Sequence, residues 1–349
     1  MAVARTPRQA GLALYAGFIA ASAYFGSIGM ISGLLPVSAS LASRLPFHSP
    51  VFGGVALACV VAAPATLVAV LAWRGHRRGR DAAALAGIIL VGWIGVETAI
   101  VRELSPLQLG YALAGLGLTL AGDRRILVQV AEVAAALPLF VTAPLYRRWH
   151  LRWGATTAEV AGPMPGDDLL PVSHFTATRA VTIHAPPDEV WPWLLQVGFR
   201  RGGFYSYDLI DNLGRPSAAT ILAQWQHLAT GDIAAPMANP PTADTSFVIA
   251  KAVQPAELVW AKPDSTWSWT LTALPGGRTR LVTRLRQRYR PDPRTLVTVI
   301  LAEFGDFPMM RKMLIGIRRR AERSALPPGA ARHAATPAAA ADVVIRPRR

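Results

Sequence analysis

The sequence has 349 residues, of which 52% are hydrophobic, and it carries a formal net charge of +15 at pH 7. It is too long for one small domain, and its mean hydropathy of +0.31 is too high for an ordinary soluble protein. The single cysteine, Cys59, excludes an intrachain disulfide and a cysteine-ligated metal site and leaves the redox compartment open. Because the arginines cluster beside apolar stretches, the basic surplus favours membrane-flanking charge over nucleic-acid binding.

Apolar segments fill the first half of the chain and predict an all-α transmembrane bundle of four to five helices over residues 1–148. A spanning helix needs about 20 predominantly apolar residues. The candidate spans are 11–35, 51–73, 82–101, 107–121 and 126–146. The first three satisfy this length, the fourth is short, and the fifth contains Gln129, Glu132, Pro138 and Pro144.

Arginines between these segments predict which side of the membrane each loop occupies, because cytoplasmic loops are enriched in Lys and Arg. Arg5 and Arg8 precede the first segment, which places the N-terminus inside. If the fifth segment crosses the membrane, Arg147, Arg148 and Arg152 lie outside; if it lies flat or re-enters, they lie inside. The charge rule favours the second path, whereas the length of the segment favours the first. We therefore expect a multi-pass protein of the cell membrane with its soluble domain on the cytoplasmic side.

Two carboxylates lie within the apolar segments. Glu97 and Glu132 are each a functional hypothesis, because a charge inside a bilayer is costly. Glu97 lies near Arg102, so we interpret it as a residue that pairs with a cation or reaches toward the interface. The same two interpretations apply to Glu132.

Residues 149–175 are predicted as an interfacial junction and linker. Trp149 to Thr156 combines aromatic and basic residues in the way typical of the lipid headgroup level. Thr157 to Val172 is rich in Gly and Pro, which favour turns. The adjacent Asp167 and Asp168 make poor metal geometry, so we interpret them as turn or cap residues.

A strand, a corner and a short helix open the soluble half. Val181 and Ile183 alternate with polar residues, as in a half-buried strand. Pro187 has the backbone angle that suits a first helical turn, and Gly198 can end the helix.

Further strands follow in an antiparallel meander. Phe247, Ile249 and Val253 fall on one face of the first of these strands, and Leu258 and Trp260 share a face of the next. Trp267 and Trp269 then share a face, and the Pro-Gly-Gly sequence at 275–277 predicts a hairpin turn.

The apolar face of this sheet needs a cover, and the candidate is a long helix over 293–323, which Pro308 is expected to kink. A long helix over a curved sheet encloses a cavity. The predicted fold class is therefore an α+β helix-grip, in which a curved antiparallel sheet wraps on a long C-terminal helix. The Ala/Pro/Arg-rich tail, 324–349, is predicted to be disordered.

This order of elements resembles the START-like (SRPBCC, polyketide cyclase/dehydrase) superfamily. The resemblance is carried by the Val-x-Ile-x-Ala-Pro-x-x-x-Val-Trp pattern of Val181 to Trp191, the Trp-rich strand around Trp267 and the Pro-Gly-Gly hairpin. It covers about half of the chain, outside the membrane region, and implies a START-like domain over 176–323. It also implies binding of lipids, sterols, hormones or polyketides, or cyclase activity. The superfamily has no shared catalytic motif to carry over.

The densest polar and aromatic cluster comprises Tyr205, Tyr207, Asp208, Asp211 and Asn212. These residues can orient a ligand, Asp208 can act as a base beside Tyr207, or the cluster can be a capped helix start under an aromatic cover. No His, Cys or Asp spacing predicts a metal site, and no motif predicts a cofactor or a catalytic residue. The candidate ligand-binding residues are Trp191, Phe204, Tyr205, Tyr207, Asp208, Trp225, His227, Trp260, Trp267 and Trp269.

Three functional hypotheses follow. The first is a membrane-anchored START-like domain that binds an apolar small molecule or lipid-like ligand between sheet and helix. The second is a cyclase or aromatase in which Tyr207, Asp208 or His227 assists proton transfer. The third is a regulatory or assembly module whose cavity is filled by its own side chains. The lipid bilayer is the expected partner in all three.

Overall fold

The computed structural model of this protein describes residues 6–35, 42–102, 105–236, 246–289, 296 and 299–325. The chain divides into two compact units, Met1–Ala131 and Glu132–Arg349. The predicted disordered tail lies outside the described residues from position 326 onward.

Long apolar helices form the first unit. They are α1 (Pro7–Ser32), α2 (Pro50–Trp73), α3 (Gly79–Val101), α4 (Pro106–Ala121) and the start of α5 (Arg124–Val141). By length and composition, α1, α2 and α3 can each cross a membrane. A fourth candidate exists if α5 and residues 143–150, which meet at a bend of 54°, count as one span. The predicted span at 107–121 forms the shorter apolar helix α4.

Local sequence explains where these helices begin and how closely they pack. Thr6 caps α1 in a capping box with Gln9 and is followed by a proline that suits the first turn. At Gly87 of α3, a Cβ atom would lie 2.5 Å from the Gly115 carbonyl oxygen of α4, so the close approach of these helices requires glycine. Glu97 accepts a hydrogen bond from Gln108 Nε2 at 3.3 Å.

An antiparallel sheet of six strands is the centre of the second unit. The strands are β1 (Phe175–Ile183), β2 (Ile233–Pro236), β3 (Ser246–Val253), β4 (Glu257–Lys262), β5 (Ser265–Leu274) and β6 (Arg278–Gln287). Their order across the sheet is β1-β6-β5-β4-β3-β2. The predicted hairpin joins β5 to β6, with Gly276 and Gly277 at φ values of 76° and 66°.

Short helices and one long helix complete this unit. They are α6 (Arg147–His150), α7 (Thr157–Ala161), α8 (Pro187–Leu195), α9 (Asp208–Asp211) and α10 (Asp306–Ser324). The buried face of α10 packs in one core cluster with the sheet and α8, through residues that include Met310, Met313 and Ile317. This α+β layout of antiparallel sheet and C-terminal helix agrees with the coarse prediction.

One local prediction differs from the structure. The kink expected at Pro308 stays a prediction: this residue lies near the start of α10, which directly follows a single π-helical turn, Leu301–Gly305. In β3 a register shift between Ile249 and Lys251 moves Val253 out of the row of Phe247 and Ile249, and Val253 is 45% exposed.

The linker is packed against the polar face of β6. The Arg284 guanidinium donates to the backbone carbonyl oxygens of Glu159, Val160 and Gly162 at 2.9–3.0 Å and pairs with Asp167. Arg280 makes a bidentate pair with the Glu159 carboxylate at 2.7 and 2.8 Å. Arg280 and Arg284 of β6 therefore bind the linker rather than solvent.

The Arg284→Ala substitution should lower the free energy of unfolding by about 3 kcal/mol, since it removes the ion pair with Asp167 and leaves three part-buried carbonyl groups without this donor. Chemical denaturation of the full-length protein in detergent, followed by tryptophan fluorescence, measures this loss. Arg278→Ala, at an exposed hairpin position, is the matched control and should change stability by less than about 0.5 kcal/mol. Equal losses in the two variants would contradict a specific role for Arg284.

The Glu159 carboxylate should make the stability of the folded protein depend on pH. Its bonds to Arg280 lower the pKa of the carboxyl from 4.5 to about 2. The stabilisation is therefore complete above pH 4.5 and is lost as the pH falls toward 2. The melting temperature of Glu159→Gln should lie below that of the unsubstituted protein at pH 7, and the difference should narrow as the pH approaches 2. A difference that is constant with pH would contradict this role of the carboxylate.

Candidate functional site

Three tryptophans of neighbouring strands meet on the sheet face that packs with α10. Trp260 of β4 lies opposite Trp267 of β5, and Trp269 follows two residues later on the same strand. The ring centroids of Trp260 and Trp269 are 4.5 Å apart, and those of Trp267 and Trp269 are 4.7 Å apart. Phe247 adds an edge contact at 6.1 Å to Trp267. The pleat of the sheet thus concentrates aromatic surface in the interior.

The indole N–H groups of this interior differ in their partners. Trp267 donates to Thr283 Oγ1 at 3.0 Å, and Trp193 donates to Ser324 Oγ at 3.2 Å. Trp191, Trp260 and Trp269 are at most 2% exposed, and within the described part of the chain their Nε1 atoms have no acceptor. A buried donor without an acceptor costs about 1–3 kcal/mol. Three such donors in one core cluster make this interior the strongest candidate for a ligand site.

Tyr205 and Phe204 are buried in the same cluster. The Tyr205 hydroxyl donates to the Trp193 carbonyl at 3.1 Å, and burial raises its pKa to about 12. The Arg320 guanidinium lies 4.2 Å from the ring centroid. A Cβ atom at Gly316 would lie 2.6 Å from the Tyr205 carbonyl oxygen, so glycine is needed where this loop meets α10. Tyr205 therefore connects α8, its own loop and α10.

Asp208 has a structural role in the adjacent loop. Its carboxylate accepts hydrogen bonds from both the backbone N–H and the hydroxyl of Ser217, at 2.9 and 2.5 Å. The ring of Tyr207 lies between Phe140, at 5.4 Å, and Lys312 Nζ, at 4.1 Å from its centroid. Lys312 also pairs with Glu132 at 2.7 Å. Tyr207 and Asp208 thus lie in a polar cluster beside α10 and outside the tryptophan core cluster.

Asp211 is an acid of this cluster with a raised pKa. Both carboxylate oxygens are buried and lack a hydrogen-bond partner among the described residues. Burial, with a smaller contribution from the charge of Asp208, raises its pKa to about 7. The sequence shows the two acids three residues apart, on one helical turn, but it does not show which of them is desolvated.

Trp225 and His227 lie apart from the tryptophan interior. Trp225 is half-buried under the Arg201 guanidinium, which is 4.9 Å from the ring centroid, and His227 is exposed. Burial lowers the pKa of Arg201 to about 10, although its guanidinium donates to the Ala234 carbonyl at 2.7 Å. The structure therefore brings together Trp191, Phe204, Tyr205, Trp260, Trp267 and Trp269 and leaves the other four candidates outside this core cluster.

Asp211→Asn should raise stability above neutral pH. The ordinary pKa of an aspartate is 3.8, so the unfolded chain releases this proton near pH 4, whereas the folded chain holds it to about pH 7. Folding of the unsubstituted protein is therefore penalised increasingly between pH 4 and 7. The melting temperature of Asp211→Asn should exceed the unsubstituted value at pH 8 and match it near pH 4. Asp208→Asn, which weakens the bonds to Ser217, is the control and should lower stability at pH 8.

Comparisons with known proteins show a distant structural likeness and no match of other kinds. No family model and no curated protein match the chain. Among solved structures, the chain is similar to the solution structure of a self-sacrificing resistance protein, CalC from Micromonospora echinospora. The two share 15% sequence identity, with a TM-score of 0.25, and the match covers 43% of this chain and 95% of that chain.

Proposed function

We propose that this protein is a membrane-anchored START-like module with a helix-grip C-terminal unit. This unit binds an apolar small molecule between its sheet and α10. The buried indole N–H groups of Trp191, Trp260 and Trp269 carry the proposal, because a ligand with carbonyl, ester or hydroxyl oxygens supplies the acceptors they lack. The surrounding aromatic and aliphatic side chains suit the apolar part of the same ligand.

The first unit supports the membrane anchor. Large apolar side chains cover its outward surfaces, including Phe18 and Phe25 of α1, which are 74% and 73% exposed. Such continuous apolar faces mark a lipid or protein contact, and three helices have the length to span a bilayer. The anchor keeps the ligand-binding unit beside the bilayer, where apolar molecules concentrate. The loop arginines favour the cytoplasmic side for this unit.

A regulatory module with a filled interior is the second candidate. The close ring contacts among Trp260, Trp267 and Trp269 favour it, because the side chains of the interior already pack on one another. Ligand entry then requires side chains to move, and Met310 and Met313 of the same cluster are flexible enough to do so. Neither of these two candidate functions includes catalytic turnover.

The test is native mass spectrometry of the full-length protein in detergent, with solvent extraction and identification of any retained molecule. Trp260→Phe combined with Trp269→Phe keeps the apolar rings but removes two unpartnered donors. Ligand occupancy should fall about 10-fold or more, since each lost hydrogen bond is worth about 1 kcal/mol.

Trp267→Phe is the matched control, because the N–H it removes already has Thr283 as its acceptor. It should retain the ligand. Protein that is empty before any substitution, or an equal loss in the control, would favour the filled module instead.

A further inference from the structure

A second surface of the C-terminal unit combines exposed basic and apolar side chains. We call it the juxtamembrane collar, and it consists of Leu145, Arg148, Trp149, Arg152 and Arg311. Leu145 is 85% exposed, Trp149 is 56% exposed, and the three arginines are exposed as well. Charged and large apolar groups therefore reach solvent side by side.

Ring contacts around Phe307 hold the collar in place. The Trp149 and Trp153 rings pack edge-on against Phe307, with centroids 5.5 and 6.3 Å away. The Arg311 guanidinium lies 5.4 Å from the Trp153 centroid. The collar thus joins residues on both sides of α6 to the first turns of α10, although they are more than 150 positions apart in the chain.

The collar arginines have no carboxylate partner among the residues that the structure describes. Arg147, their neighbour, is paired with Glu303 at 2.6 and 3.0 Å. Arg148, Arg152 and Arg311 have no ion pair in the described ranges of the chain. Residues 144–149 line a recess of about 440 Å³.

The chain path places this collar at the end of a candidate membrane segment. Helix α5 and residues 143–150 together are apolar enough to form a broken span or a re-entrant loop, with a bend of 54°. Leu145, Arg148 and Trp149 lie in the second part of that pair. An amphipathic aromatic ring and arginines at the end of a span are typical of the headgroup level.

We propose that the juxtamembrane collar docks on anionic phospholipid headgroups and fixes the orientation of the C-terminal unit on the bilayer. The guanidinium groups of Arg148, Arg152 and Arg311 bind headgroup phosphates, whose geometry suits bidentate donation. Leu145 and Trp149 enter the boundary between headgroups and acyl chains. The proposal rests on the membrane anchor proposed above but not on ligand binding in the interior.

The experiment uses the full-length protein with Cys59→Ala and Leu145→Cys, labelled at position 145 with an environment-sensitive fluorophore and reconstituted in vesicles. Fluorescence should rise about twofold or more when phosphatidylcholine vesicles are replaced by vesicles that also contain phosphatidylglycerol, because the negative surface attracts the collar. Raising salt to about 1 M, where the screening length is about 3 Å, should reverse the rise.

Replacing Arg148, Arg152 and Arg311 by glutamine should abolish the rise. The matched control removes the same charge at other exposed positions, with Arg278→Gln, Arg319→Gln and Arg323→Gln, and should keep it. Equal fluorescence in both lipid mixtures, or an equal loss in the control, would overturn the proposal. Vesicle flotation separates this result from failure of the anchor, since protein held by its spans floats whether or not the collar docks.

Discussion

A buried ion pair between Arg179 of β1 and Asp306, the first residue of α10, fixes the geometry on which the C-terminal unit depends. The two side chains are 1% and 9% exposed, and Nη1 and Oδ2 are 2.6 Å apart. Burying these charges is costly, so the pair needs further polar contacts. Arg179 Nε donates to the His150 carbonyl at 2.7 Å, and the guanidinium lies 5.4 Å from the Phe307 centroid. One side chain thus connects the edge strand, the long helix and the last residue of α6.

The same connection explains how the edge of the sheet is closed. Backbone N–H groups of Thr178 and Ala180 donate to the carbonyl oxygens of Leu151 and Trp153, so the segment after α6 covers the outer edge of β1. On the polar face, Arg280 and Arg284 bind the linker. The arginines of this fold therefore differ in their partners. Arg280 and Arg284 of β6 bind part-buried linker groups, whereas among the described residues the collar arginines have no carboxylate partner and are proposed to bind an external anion.

Local patterns in the sequence predicted the elements, because alternation, proline and glycine act over a few residues. The strand at Val181, the helix that begins at Pro187 and the Pro-Gly-Gly turn are of this kind. Contacts between distant residues were not predictable in the same way. Arg179 alternates with Val181 and Ile183 on one face of β1, and this pattern indicates that its charge points inward. Its partner, Asp306, is over 120 residues away in the chain. The pKa of Asp211 likewise depends on burial that no short pattern encodes.

Two opposing contributions to the free energy of folding act in the tryptophan interior. Burying one indole ring removes about 200 Å² from water, worth about 5 kcal/mol, whereas an unpartnered N–H costs about 1–3 kcal/mol. Packing therefore exceeds the polar penalty, and the cluster of Trp191, Trp260 and Trp269 is stable while closed. The penalty persists in that closed state. Under the proposed function, a ligand that keeps the apolar contacts and adds acceptor oxygens would recover this penalty, and its selection would depend on oxygen placement more than on apolar bulk.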